Sequence, residues 1–360
     1  MMSETMTGGE AIVRALIDHG VDTVFALPGV QTYPVMDALA RTADRIRTYG
    51  ARHEQATAYM AFGYAQATGK VGVYSVVPGP GVLNTMAALC TAWGCNQPVL
   101  CITGQVPRAF LEGGRGHLHE IPDQQGTVSR LCKYTARVDR PEDAPRVVAE
   151  AFKAMRSGRP GPALIEMCWD DMAMTGQVEP VAPLPLEPKP TVDTAAVKEA
   201  AQLAREAKRP LILVGSGARH AQEEVLALAE KLNAPVTAFR GGRGIVPADH
   251  PLSLSSYAAW QLWEDTDLVI GIGTRLEMIY MRWMGMNQRI VEPEAPPHVI
   301  RIDIDPQEMQ RLVPHVGVVA DSKEGTGALV KMLEQESAPS SKDLGRLERN
   351  RFILARSRMR

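Results

Sequence analysis

Two kinds of apolar pattern alternate along the first half of the chain. Short runs, TVFAL, IRTY, VGVYSVV, PVLCITG and PALIEM, are separated by stretches in which apolar residues recur every three to four positions. The runs predict strands and the spaced stretches predict amphipathic helices. Their alternation predicts a parallel sheet covered by helices on both faces. Thr7-Gly8-Gly9-Glu10 has the spacing of a capping box, with Ile12, Val13, Leu16 and Ile17 on one helical face and Gly20 at its end. A second helix is expected from near His53 through EQATAYMAFGYAQATG, Ala-rich and stopped by Gly69. A third begins after Pro78-Gly79-Pro80-Gly81.

The pattern breaks at EPVAPLPLEPKP, where Pro180, Pro183, Pro185, Pro188 and Pro190 leave no room for a helix or a sheet ladder. It then resumes: PLILVG, APVTAF, DLVIGIG, HVIRIDID and VGVVAD are strand candidates, and AAVKEAAQLAREAKR and QEEVLALAEKLN are amphipathic helices. The expected fold class is therefore α/β, with two doubly wound parallel-sheet domains joined by a Pro-rich linker. The boundaries are 1–178, a linker at 179–190, 191–336, and a tail at 337–360. The basic tail, SAPSSKDLGRLERNRFILARSRMR, reads as a solvated helix in preference to a nucleic-acid contact.

Composition narrows the function. The 360 residues exceed one ordinary core, and 45% hydrophobic with 22% charged residues is the profile of a globular protein. With 39 basic and 41 acidic side chains the net charge is −2, too small a field to gather nucleic acid or an anionic membrane. Small-molecule chemistry is the expectation. Five cysteines, odd in number and mostly in apolar stretches, suit a reducing compartment. No apolar run approaches a membrane span and no secretory leader is recognisable, so a cytoplasmic protein is expected.

Several segments hold candidate chemistry. Glu54 lies at a strand-to-helix junction where its carboxyl group could enter a cleft, or simply favour the helix dipole. A catalytic role would need a dry wall, which the Ala and Met residues that follow could supply. The glycines of Pro78–Gly81 would let backbone approach a ligand, although a tight turn explains them about as well. His117, His119, Glu120 and Asp123 crowd GRGHLHEIPDQQG, yet match no closed zinc pattern, so no metal site is assigned and a substrate-side or solvent-facing loop is preferred. Gly215-Ser216-Gly217 begins like a dinucleotide fingerprint but has His220 where such a motif has glycine. Gly271-Ile272-Gly273 repeats the pattern, with Arg275 available for a phosphate or an ion pair. Met278, Met281, Met284, Met286 and Trp283 read as core or subunit interface.

Taken in order, these segments resemble the thiamine diphosphate-dependent superfamily of acetolactate synthase, pyruvate oxidase and benzoylformate decarboxylase. The resemblance spans nearly the whole chain and rests on VDTVFALPG, RHEQATAYMAFGYAQATG, PGPGVLNTMAAL, PVLCITGQVPR, GRPGPALIEM, RPLILVGSGAR, DLVIGIGTRLE and VIRIDIDP. It implies a pyrimidine-binding domain followed by the family's central domain. Glu54 would be the cofactor-activating glutamate, hydrogen-bonding the pyrimidine ring and promoting the imino form that removes the thiazolium proton. Pro28, Gly29, Gly79, Pro80, Gly81 and Asn84 would shape the wall around that ring. His117, His119 and Glu120 would lie on the substrate side, with His119 where acetolactate synthases carry glutamine. The family's diphosphate-binding domain, with the GDG motif that holds magnesium, has no counterpart in this sequence. Magnesium and the diphosphate would then be held by a domain absent here or by a partner chain, and this chain alone would be inactive. FAD is possible within the family, but Ser255-Ser256-Tyr257 stands where flavin-binding relatives are glycine-rich. The resemblance implies a carboligase or decarboxylase acting on a 2-oxo acid or aldehyde, as a homodimer or homotetramer; the competing class is a non-catalytic binding or regulatory subunit that keeps the fold.

Overall fold

A computed structural model describes residues 3–263, 265–277 and 298–335 of the chain. The Met-rich stretch beginning at Met278 and the basic tail lie outside the described residues. The chain divides into two compact units, Met1–Pro188 and Lys189–Arg360.

The first unit opens with β1 (Glu4–Thr7), which pairs antiparallel with β8 (Thr175–Val178) to bring the two ends of the unit together. Helix α1 (Gly8–Asp18) starts on the expected capping box: Thr7 Oγ1 accepts from Glu10 N, and Glu10 Oε2 accepts from Thr7 N at 2.8 Å. Ile12, Val13 and Leu16 are buried beneath it, each contributing about 1.5–3 kcal/mol. The sheet contains β2 (Thr23–Ala26), β3 (Arg47–Gly50), β4 (Gly72–Val76), β5 (Val99–Gln105), β6 (Tyr134–Val138) and β7 (Ala163–Cys168). Its order is β3-β2-β4-β5-β7-β6, parallel throughout. Helices α1, α2 (Tyr33–Arg41), α6 (Ala144–Arg156) and the short α7 (Trp169–Ala173) bury one face. Helices α3 (Glu54–Thr68) and α4 (Pro80–Gly94) bury the other. From β2 the chain runs outward to β3 and then returns past β2 to β4. That reversal is the switch point at which doubly wound folds bind ligands, beyond the carboxyl ends of the strands.

The second unit repeats the plan. Its parallel sheet runs β11 (Ser253–Leu254), β10 (Val236–Ala238), β9 (Pro210–Val214), β12 (Leu268–Ile272), β13 (His298–Asp303), β14 (Val316–Val319). Helices α8 (Thr194–Glu206) and α9 (Gln222–Leu232) and a last described helix (Ser322–Gln335) cover one face. The two expected helices and five expected strands of this half are present; the two-residue β11 was not legible. No helix among the described residues is long and apolar enough to cross a membrane.

Candidate functional site

The residues singled out by sequence converge on the carboxyl edge of the first sheet. Pro28 and Gly29 follow β2, Glu54 follows β3, and Gly79, Pro80 and Gly81 follow β4. Glu54 opens α3, where His53 caps the helix by accepting Gln55 N on Nδ1 at 3.2 Å. Spacings of three, four, seven and eleven place Glu54 in line with Thr57, Ala58, Ala61 and Ala65, the buried stripe of the helix. The stripe lies on the sheet and its first member reaches past the edge, so Glu54 is half-buried. Ala58, Ala61 and Ala65 pack into the core with Met60 beside them. Asn84, on α4, donates from Nδ2 to Glu54 Oε2 at 3.0 Å. Glu54 Oε1 has no hydrogen-bond partner among the described residues and remains available.

Gly79 sits at φ 58°, ψ −118°, a conformation for glycine, and a Cβ there would lie 2.3 Å from the carbonyl oxygen of His119. Its N–H donates to Gln124 Oε1 at 2.8 Å. The strand-to-helix turn is therefore packed against the 117–124 segment, which accounts for glycine at 79 better than a turn in isolation. Pro80 occupies the first position of α4, where its missing N–H costs nothing. A Cβ at Gly29 would lie 2.2 Å from Val77 Cγ1, so the loops after β2 and β4 are in direct contact.

The 117–124 segment is shaped by its own carboxylates. Glu120 accepts from Gly114 N and His117 N, each at 2.9 Å, and these backbone donors, His117 first, hold its pKa below the usual carboxylate range. Asp123 caps a short helix, α5 (Gln124–Ser129), by accepting from Gly126 N at 2.7 Å. His117 stacks on Phe110 with ring centroids 4.2 Å apart. His119, at φ 67°, contacts Gln31 Oε1 through Nδ1 at 3.1 Å, while Gln31 Nε2 donates to Leu118 O. An amide oxygen only accepts, so Nδ1 carries the proton and Nε2 is the ring's free position. The fold thus brings His119 to the loop after β2, while Glu120 is turned to the backbone of its own loop and His117 lies on Phe110.

Sequence reading missed Gln31, Gln124 and Glu166. Glu166, in the middle of PALIEM, is fully buried on β7 and meets Arg137 Nε at 2.8 Å, Gln124 Nε2 at 2.8 Å and Gln125 Nε2 at 2.9 Å. A charged residue inside a strand expected to be covered on both faces was the available signal, since such a group must have partners.

Elsewhere, Cys168, Asp170 and Asp171 could gather three ligand atoms, but Arg108 occupies both carboxylates: its backbone N–H donates to Asp170 at 3.1 Å and its guanidinium meets Asp171 at 2.7 Å. Burial pushes the Cys168 thiol up to about 12. In the second unit, the turn at Gly215 and the one at Gly273 press on each other: Gly217 N donates to Gly273 O at 3.1 Å, and a Cβ at Gly215 would lie 2.3 Å from the same oxygen. Those glycines are explained by chain packing and give no separate support for a flavin.

A carboxylate over the switch point of one doubly wound unit, followed by a second such unit, is the arrangement of the thiamine pyrophosphate enzymes, and the chain belongs to that family. Residues 6–127 match the N-terminal thiamine pyrophosphate-binding domain of these enzymes, and residues 197–329 match their central domain. Among similar proteins, a probable 2-ketoarginine decarboxylase of Pseudomonas aeruginosa is 34% identical over 96% of this chain and 62% of its own length. An acetolactate synthase of Arthrospira platensis is 35% identical over 95% of the chain and 62% of its own. The large subunit of acetolactate synthase isozyme 2 of Escherichia coli is 37% identical over 92% and 60%. The chain thus spans about three fifths of the length of these relatives.

Proposed function

We propose that the chain supplies the pyrimidine-binding and central domains of a thiamine diphosphate-dependent decarboxylase or carboligase acting on a 2-oxo acid. The observation that carries this reading is Glu54: a half-buried carboxylate at the switch point, with one oxygen fixed by Asn84 and the other open. The site fits the cofactor's aminopyrimidine in kind, because a carboxylate at the sheet edge with one oxygen open can exchange a proton with a ring nitrogen. Thiamine diphosphate, when bound, supplies the carbon nucleophile and electron sink that cleavage beside a 2-oxo group requires.

This chain's own residues would then divide the work. Glu54 Oε1 holds and returns a proton, Asn84 prevents the carboxylate from rotating away, and the α3 stripe fixes its height over the sheet edge. His119, oriented by Gln31, presents Nε2 as a donor or acceptor on the substrate side. Magnesium and the diphosphate are assigned to a diphosphate-binding domain supplied by further chain or by a partner, and a homodimer or homotetramer is proposed. Support for decarboxylation or carboligation comes from relatives named for each. The test is turnover of a panel of 2-oxo acids by the complete enzyme with thiamine diphosphate and magnesium. Glu54→Gln should lower turnover about a hundredfold or more, the scale of a lost general acid–base group, with an unchanged circular dichroism spectrum. Turnover within about threefold of the parent would reject the assignment.

A further inference from the structure

The charge buried deepest in the first unit has no part in the chemistry above. Glu166 is fully buried on β7, and Arg137 faces it directly across the β6–β7 ladder. Their ion pair, at 2.8 Å, would satisfy a purely structural role. Yet three glutamine amides also turn to this carboxylate: Gln124 and Gln105 on Oε2 at 2.8 and 3.5 Å, and Gln125 on Oε1 at 2.9 Å. Burying a carboxylate is costly unless donors meet it, and four side chains do so here, each of which is fixed in turn.

Gln124 shows what is held. Its Nε2 donates to Glu166 and to Gly104 O, which forces Oε1 to the opposite side, where it accepts the N–H of Gly79 at 2.8 Å. The Gly104 carbonyl can only accept, and Glu166 Oε2 accepts from the same nitrogen, so the orientation of the Gln124 amide is fixed by polarity and not by shape alone. Gly79 in turn caps α4, and α4 carries Asn84, the donor to Glu54.

We infer that Glu166, acting through Gln124, is a positioning residue: it fixes the Gly79 turn and thereby the start of α4, the wall against which the cofactor ring would lie. The inference rests on the reading of the switch point as the cofactor site. Gln125 provides the internal control, because it donates to the same carboxylate without touching Gly79.

The experiment uses the complete enzyme and compares Gln124→Leu with Gln125→Leu by two readouts. Hydrogen exchange of the peptide around Gly79 should speed about tenfold in Gln124→Leu, the consequence of one lost hydrogen bond, while β4 and β5 keep the parent's protection. The thiamine diphosphate concentration for half-maximal activity should rise about tenfold, with turnover at saturating cofactor falling much less. Gln125→Leu should do neither. If Gln124→Leu does not fold, Gln124→Asn, one methylene too short to span from Glu166 to Gly79, takes its place with the same expected split. Unchanged exchange at Gly79, uniformly faster exchange across the unit, or parental half-saturation would each overturn the inference. A parent enzyme whose activity does not depend on thiamine diphosphate would instead reject the functional reading, with the exchange result still reporting on the Glu166 linkage.

Discussion

Substituting Gly79 with alanine tests whether the turn after β4 is as tightly fixed as its surroundings imply. Two costs add. At φ 58°, ψ −118°, a side chain is strained by about 1–3 kcal/mol. The new Cβ would also stand 2.3 Å from the His119 carbonyl oxygen and 2.9 Å from its carbon, which are backbone atoms that can yield only if the 117–124 segment shifts. Such overpacking typically costs about 1–3 kcal/mol more. A loss of about 3 kcal/mol, divided by a urea slope of about 3 kcal/mol per molar for a unit of this size, lowers the unfolding midpoint of the first unit by about 1 M. Gly63 is the matched comparison. It lies exposed inside α3, and a Cβ added there would meet nothing within 4 Å, so Gly63→Ala should raise stability by up to about 1 kcal/mol. Urea titrations followed by circular dichroism, with Trp93 and Trp169 fluorescence reporting on the first unit, measure both. A Gly79→Ala midpoint within about 0.2 M of the parent would refute the geometry at the site.

Other consequences follow from the buried charges and thiols. In the second unit the fully buried Arg301 donates to Glu308 Oε2 at 3.1 Å and to Thr274 O at 2.9 Å, so Arg301→Leu should cost that unit about 3–5 kcal/mol in urea denaturation, the scale for breaking a buried pair; no measurable loss would contradict it. Burial opposes ionisation of Glu308 and Asp321, but Arg311 and Arg301 in the first case, and His220 and Lys189 in the second, carry both carboxylates below their usual range. A carboxylate whose folded pKa is lowered adds stability that is complete above the unfolded value and lost as the pH falls through the folded one. Asp303, which burial raises, works in the opposite direction, so the contribution of Glu308 is read by comparing the parent with Glu308→Gln: the parent's advantage in midpoint should hold from about pH 8 to about pH 5 and shrink below about pH 4; an advantage that shrinks from near pH 6 would contradict this assignment. A thiol reagent at neutral pH should label Cys90 quickly and Cys95 more slowly. Cys101, Cys132 and Cys168, buried and with Cys101 pushed up to about 12 by burial, should react only after unfolding; rapid labelling of any of the three would show that the core is open.

The periodic parts of the fold were the legible ones. The capping box at Thr7 and the αL glycine at 69 are local signals, and each sits where its spacing places it. Strand β6 was not anticipated, because its residues are mostly half-buried at the sheet's edge and carry no continuous apolar run. Nor was the antiparallel pairing of β1 with β8, which joins residues about 170 apart and leaves no mark in either segment. Glu54's place at a strand-to-helix junction was legible, but the role proposed for it came from family resemblance. Asn84 came from family resemblance alone, since an asparagine in the second turn of a helix has no local signature. The Glu166 cluster joins residues 105, 124, 125, 137 and 166, and only the fold brings those amides to one carboxylate.

The claim on which the rest depends is that the carboxyl edge of the first sheet receives the cofactor's aminopyrimidine ring. A crystal structure of the complete enzyme with thiamine diphosphate and magnesium tests it directly. The account predicts the ring lying against Gly29 and Gly79–Gly81, with Glu54 Oε1 about 2.6–3.0 Å from a ring nitrogen, as a charge-assisted hydrogen bond requires. A ring bound elsewhere, or Glu54 turned to solvent with the cofactor in place, would contradict it.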